Sequence, residues 1–170
     1  MSNKICAIVI TYKREDLLIE CIKGIISQTI PIDALILVDN NVISNVIKLL
    51  NDKNLLNVNN GNESETYLSD TKIKFHYLKP IKNLGSAGGY FIGLGHGLQY
   101  DFNWFWLLDD DVKPLPNALE NILQYTNISE LINVSKVNQN WERISFSELR
   151  LALASSNLVS FCFHFSNNRS

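Results

Sequence analysis

Four short runs constrain what this chain can fold into more than anything else in it. ICAIVIT (5–11), ALILVDN (34–40) and WFWLL (104–108) are almost continuously apolar, and KIKFHYL (72–78) alternates in part. Such runs predict strands buried on both faces, as in a parallel sheet covered by helices. Between them the apolar period lengthens. Leu17, Leu18, Cys21, Ile22, Ile25 and Ile26 recur on one face of a helix, and Pro31 marks the break after it. A short helix is expected over 42–50. A glycine-rich turn, NLGSAGG (83–89), leads into a helix with Ala87, Phe91, Leu94 and Leu98 on one face. Gly93, Gly95 and Gly97 weaken that helix, and imply close packing on a strand or a fraying end. A last helix is expected over Leu115–Tyr125, with Pro116 in its first turn. Strand and helix alternate, so the expected class is α/β: a Rossmann-like, three-layer α/β/α sandwich with a mostly parallel sheet.

Two segments fall outside this rhythm. Residues 51–72 are polar and Asn-rich and read as a surface excursion, in which Asn62-Glu63-Ser64 matches a glycosylation sequon by chance composition. In the tail, Val159, Phe161, Phe163 and Phe165 alternate with polar residues, the period of a half-buried strand. The 170 residues suffice for one domain with a real core. We expect residues 1–126 to form one functional half and 127–170 an incomplete segment or tail. A net charge of −2 gives no basic field for nucleic acid. Cys6, Cys21 and Cys162 lack metal-ligand spacing and read as reduced core thiols. No run is long enough to span a bilayer, so the expected location is the cytoplasm, at most peripheral to the inner face of a membrane.

Right-handed crossovers bring the C-terminal ends of parallel strands to one edge, where open α/β sheets bind ligands. Thr11-Tyr12-Lys13-Arg14, Asp39-Asn40, Asn83 onward and Asp109-Asp110-Asp111 therefore converge. If the strand geometry continues to residue 111, Asp109 and Asp111 point to one side and Asp110 to the other. Two such carboxylates can share one divalent cation with a phosphate ligand; the bland alternative is a solvated turn before Pro114. Asp39 can accept a hydrogen bond from a ribose or a base, or simply form an Asx turn. Gly85 and Gly88 allow close backbone approach at a helix start. Tyr12 can flank a base, and Arg14 can pair with a phosphate. NLGSAGG is not the dinucleotide fingerprint, and no P-loop occurs. His76 and His96 read as structural, and His164 lies on the polar face of the tail strand.

Taken together, AIVITYKREDLLIECIKGIISQT, LILVDN, NLGSAGGYFIGL and WFWLLDDDVKP resemble the family 2 glycosyltransferases of GT-A fold, in the manner of rhamnosyl- and galactofuranosyltransferases. The resemblance covers about residues 5–125. It implies an inverting transfer of sugar from a nucleotide-diphosphate donor, a UDP- or dTDP-sugar, to a glycan or lipid-linked acceptor, with Mg²⁺ or Mn²⁺ as cofactor. By position it implies that Thr11, Tyr12, Arg14, Asp39, Asn83, Gly85 and Gly88 border the nucleotide. Asp109 and Asp110 contact the donor, and Asp109 and Asp111 hold the metal as a DxD pair. The catalytic base has no match: Glu142 and Glu148 stand in no such context. The expectation is a donor-binding half whose acceptor half is missing or supplied by a partner chain. The alternative is a truncated, catalytically inactive nucleotide-binding module.

Overall fold

The computed structural model describes residues 4–58, 66–124, 131–133 and 160–164. The sequon at Asn62, Glu142, Glu148, Val159 and Phe165 lie outside the described residues. The elements run β1 (Ile5–Thr11), α1 (Glu15–Ile26), β2 (Ala34–Asp39), α2 (Val46–Asp52), β3 (Leu56–Val58) and β4 (Thr66–Leu68). They continue with β5 (Lys74–Leu78), α3 (Gly85–Gly97), β6 (Trp104–Asp109), α4 (Ala118–Leu123), β7 (Leu131–Asn133) and β8 (Ser160–His164).

One sheet contains the eight strands, in the order β3-β4-β5-β2-β1-β6-β8-β7. The central four, β5, β2, β1 and β6, are parallel. The antiparallel pairings lie on the two flanks. The sheet is covered on both faces, which is why β1 and β2 are buried at every position. Ile5, Ala7 and Val9 pack with Leu18, Ile22, Val46, Leu50, Leu119 and Ile122 from α1, α2 and α4. Cys6, Ile8 and Ile10 pack on the other side with Tyr90 of α3 and with Phe105 and Leu107. The expected three-layer α/β/α arrangement is therefore found.

Several boundaries differ from the sequence reading. The excursion at 51–72 contains two strands: Leu56, Asn57 and Val58 pair with Leu68, Tyr67 and Thr66. Three-residue strands are too short to carry a period. Leu68 of β4 is buried, as is Leu55 just before β3. The second helix starts at Val46 rather than 42, because Asp39 ties up the intervening loop through the Asn41 N–H and the Ser44 hydroxyl. The last helix spans only Ala118–Leu123. Pro116 precedes it, in a segment whose carbonyl at 116 accepts from the Thr29 N–H.

The face of α3 is the largest correction. Phe91 is 76% exposed and Leu98 40% exposed, so these two members of the expected apolar stripe face away from the sheet, whereas Leu94 packs against the core. The buried face is Gly89, Tyr90, Gly93 and Gly97. A Cβ on Gly93 would lie 2.7 Å from Ile8 Cγ2, and one on Gly97 2.5 Å from the Phe105 ring. The glycines let the helix backbone lie directly on β1 and β2, with Gly97 also against the Phe105 ring, which is the close packing the sequence reading allowed for. Gly95, on the other side, meets nothing within 4 Å. In the tail the expected strand is present as β8, antiparallel to β6. Among the described residues no helix is long and apolar enough to cross a membrane.

Candidate functional site

The strand order fixes where a ligand can enter. From β1 the chain moves outward through β2 to β5, then returns over α3 to β6 on the opposite side of β1. The order therefore switches between β1 and β6, and a crevice opens at their C-terminal ends. Thr11 and Asp109 end those two strands. The chain reverses sharply after β1: Lys13 takes φ +59°, an unusual left-handed conformation for a residue with a Cβ. Its ammonium lies 5.1 Å from the Tyr12 ring centroid. That reversal returns Arg14 toward β6.

The three aspartates have three different environments. β6 ends at Asp109, and Asp110 and Asp111 form a turn closed by the Val112 N–H donating to Asp109 O at 3.2 Å. The strand alternation expected through 111 therefore does not hold. Asp110 is 4% exposed and turns back across the crevice. Its Oδ2 accepts from Thr11 Oγ1 at 2.8 Å and from the Tyr12 N–H at 3.2 Å, and its Oδ1 lies 3.5 Å from Arg14 Nη1. Asp110 thus bolts the end of β6 to the end of β1. Asp109 Oδ1 accepts from the buried Tyr90 hydroxyl of α3 at 3.0 Å. Asp111 is half exposed and meets Arg14 Nη1 at 2.6 Å through Oδ2.

Electrostatics follow from that placement. Burial pushes the Asp109 carboxyl above the usual carboxylate range; the Tyr90 hydroxyl pulls it down, and the charges of Asp111 and Asp110 push it up. Burial likewise raises Asp110, against the stabilising Thr11 hydroxyl and Tyr12 N–H. Tyr90 rises well above an ordinary phenol, through burial and then Asp109. Arg14 is the one cation paired with the triplet among the described residues. Three carboxylates facing one guanidinium leave a local excess of negative charge.

The other two groups lie on the same rim. Asp39 is fully buried. Its Oδ1 accepts from the Asn41 N–H at 2.9 Å, and its Oδ2 accepts from Tyr77 Oη at 2.8 Å and from Ser44 Oγ. A carboxylate has about four acceptor sites, so these three donors leave one. Asn40 ties the second strand to the glycine turn: its Nδ2 donates to Gly85 O at 3.1 Å, and its Oδ1 accepts from the Leu84 N–H at 3.3 Å. Asn83 Oδ1 accepts from the Gly85 N–H at 2.8 Å, an Asx turn that opens α3. Gly85 takes φ +66° there, with nothing near its open Cβ position. Gly88 stacks over Leu84 one turn on. Asn40, which the sequence places on this rim beside Asp39, completes the scaffold together with Ser44, Tyr77 and Tyr90, which the sequence reading does not single out. Tyr90 sits inside a helix pattern and carries no signal of its own.

Among the described residues no three His, Cys, Asp or Glu side chains group to hold a metal by protein ligands alone. The carboxylates of the triplet remain as candidate ligands. Hydrogen bonds and the ion pair engage Oδ1 of Asp109 and Oδ2 of Asp111, leaving each carboxylate a second oxygen. Mg²⁺ and Mn²⁺ are commonly held by one or two carboxylates, with phosphate and water completing the shell.

Comparison with known proteins adds the following. Residues 6–139 match the family model for glycosyl transferase family 2. A galactofuranosyltransferase, GlfT1 of Mycolicibacterium smegmatis, is 30% identical over 132 residues, covering 77% of this chain and 38% of that protein. The chain thus spans about two fifths of the length of that relative. Among solved structures, the mannosyltransferase PcManGT of Pyrobaculum calidifontis, in complex with GDP-Man and Mn²⁺, superposes with a TM-score of 0.63 at 13% identity, over 96% of this chain and 45% of that one. S. aureus TarS 1–349 in complex with UDP-GlcNAc gives 0.58 at 15% identity, over 84% and 37%. At such identities the likeness is one of fold, and the fold is GT-A.

Proposed function

The chain belongs to glycosyl transferase family 2, and on that premise we propose that it is the donor-binding part of an inverting, metal-dependent enzyme that moves sugar from a nucleotide-diphosphate sugar to a glycan or lipid-linked acceptor. The observation that carries the reading is the meeting of β1 and β6 at the switch point, where Asp110 locks Thr11 and Tyr12 2.8–3.2 Å away beside two further carboxylates. Thr11 and Tyr12 border the nucleotide, and Tyr12 is exposed enough to lie against a base. The glycine turn, anchored by Asn40 and Asn83, forms the opposite lip. Asp39 offers its remaining acceptor site to the base only if the loop at 41–44 gives way. Otherwise it acts by holding that loop.

Asp109 and Asp111 are the residues that would hold Mg²⁺ or Mn²⁺ against the donor diphosphate. When bound, such an ion supplies Lewis-acid stabilisation of the charge that grows on the leaving nucleoside diphosphate. Tyr90 keeps Asp109 oriented, and Arg14 balances Asp111. Residues 1–126 are the donor half on this reading. The general base and the acceptor groove belong to residues beyond it, in 127–170, in further sequence or in a partner chain. Peripheral contact with the inner face of a membrane suits a lipid-linked acceptor.

Titration calorimetry with UDP, with and without Mn²⁺, tests the reading. Metal-dependent binding is expected, and its absence at millimolar nucleotide rejects the site. Binding without turnover of a UDP- or dTDP-sugar would favour the inactive nucleotide-binding module; sustained hydrolysis or transfer would reject it.

A further inference from the structure

At the far end of α3 two imidazoles meet. His96 lies in the last turn of the helix, and His76 lies mid-way along β5, in register with Ile36 of β2. His96 Nε2 and His76 Nδ1 are 3.1 Å apart. The ring centroids lie 5.0 Å apart at 64°, and the Tyr100 ring lies 5.0 Å from His76 and 5.4 Å from His96. At about 1.5 Å per helical residue, His96 is roughly 16 Å along α3 from Gly85, so the pair is separate from the carboxylate rim.

Two nitrogens each about 2.0–2.1 Å from one ion are roughly 2.9 Å apart at adjacent octahedral positions and roughly 3.3 Å apart in a tetrahedron. The observed spacing falls between the two. The pair also carries an unresolved polar atom: among the described residues His76 Nε2 is buried and has no hydrogen-bond partner. That nitrogen is the one turned away from His96, so it is unpartnered in either tautomer of the hydrogen-bonded pair and equally when Nδ1 is a ligand, and the site rests on the spacing of Nδ1 and Nε2 alone. Burial holds both imidazoles below their usual range, helped at His76 by His96 and Lys74.

We propose that His76 and His96 chelate one divalent ion of the zinc, nickel and copper class, with water in the open positions, tying the C-terminal end of α3 to β5. Hard Mg²⁺ and Mn²⁺ favour oxygen ligands, so this site does not compete for the ion of the carboxylate rim. It stands independently of the donor-site reading.

The test is calorimetric titration of the full chain with zinc chloride, without nucleotide, on the wild type, His96→Gln, His76→Gln and Asp109→Asn. We expect one ion per chain, at least a tenfold loss of affinity in each histidine variant, and wild-type affinity in Asp109→Asn. His96 is partly exposed on a helix, so His96→Gln keeps the fold even if His76→Gln does not. Zinc should raise the melting temperature of the wild type and not that of His96→Gln. No saturable zinc binding, binding that neither histidine substitution weakens, or binding lost only in Asp109→Asn would each overturn the proposal.

Discussion

Adjacent aspartates should fail in opposite ways when replaced. Asp110→Ala removes the acceptor of the Thr11 hydroxyl, which is buried at 2% exposure. Stranding such a group costs about 1–3 kcal/mol. The part-buried Tyr12 N–H adds about 1 kcal/mol. The 3.5 Å contact to the half-exposed Arg14 adds little after solvent screening. Against these stands the relief of a carboxylate that burial disfavours. The net loss is about 2–3 kcal/mol, a fall in melting temperature of roughly 4–12 °C for a chain of this size. Asp111, with its side chain 47% exposed, makes one surface ion pair. Asp111→Ala should therefore stay within about 1 kcal/mol of the wild type. Function should sort the other way: Asp111→Ala loses Mn²⁺-dependent UDP binding, while Asp110→Ala binds more weakly but keeps the metal dependence. Urea melts followed by circular dichroism, paired with calorimetry, read both axes. Equal destabilisation by the two substitutions would refute the division of labour drawn here.

Asp109→Asn should stabilise the metal-free protein at pH 7 and abolish metal-dependent binding, since the amide still accepts from Tyr90. The sign follows from burial, which raises the folded-state pKa above the unfolded one: the penalty is absent below the unfolded pKa and complete once pH rises through the folded pKa. The advantage of the variant, read from melts at several pH values, should accordingly shrink as pH falls toward 4. On α3, Gly93→Ala should cost about 1–3 kcal/mol in a urea melt, because its Cβ lands 2.7 Å from Ile8. Gly95→Ala, with open space around it, should gain about 1 kcal/mol. Lys13→Gly should be neutral or slightly stabilising, because it relieves φ +59°, whereas Lys13→Val should lose about 1–3 kcal/mol in the same melts.

What was legible in the sequence, and what was not, divides along physical lines. The central strands announced themselves because burial on both faces leaves no room for polar residues: β1 and β2 show it at each position. Their C-terminal tips could be placed on one rim because parallel connection dictates it. Alternation, by contrast, was a poor guide past the end of β6. It assigned Asp109 and Asp111 to one side by assuming that the pleat continued, yet the chain turns at Asp110 because the Thr11 hydroxyl and Tyr12 N–H hold that carboxylate from across the crevice. No local pattern encodes a bond between residues 99 apart in sequence. The same holds for α3. Hydropathy ranks Phe91 and Leu98 as core and glycine as neutral, but sheet contact is decided by how near the backbone can come. Gly93 and Gly97 win that contest by having no side chain, and they place Tyr90, on the same face, where its hydroxyl reaches Asp109. The glycines that weaken the helix are therefore part of how the rim obtains its orientation. Widening that face with alanines should loosen Asp109 before it unfolds the domain.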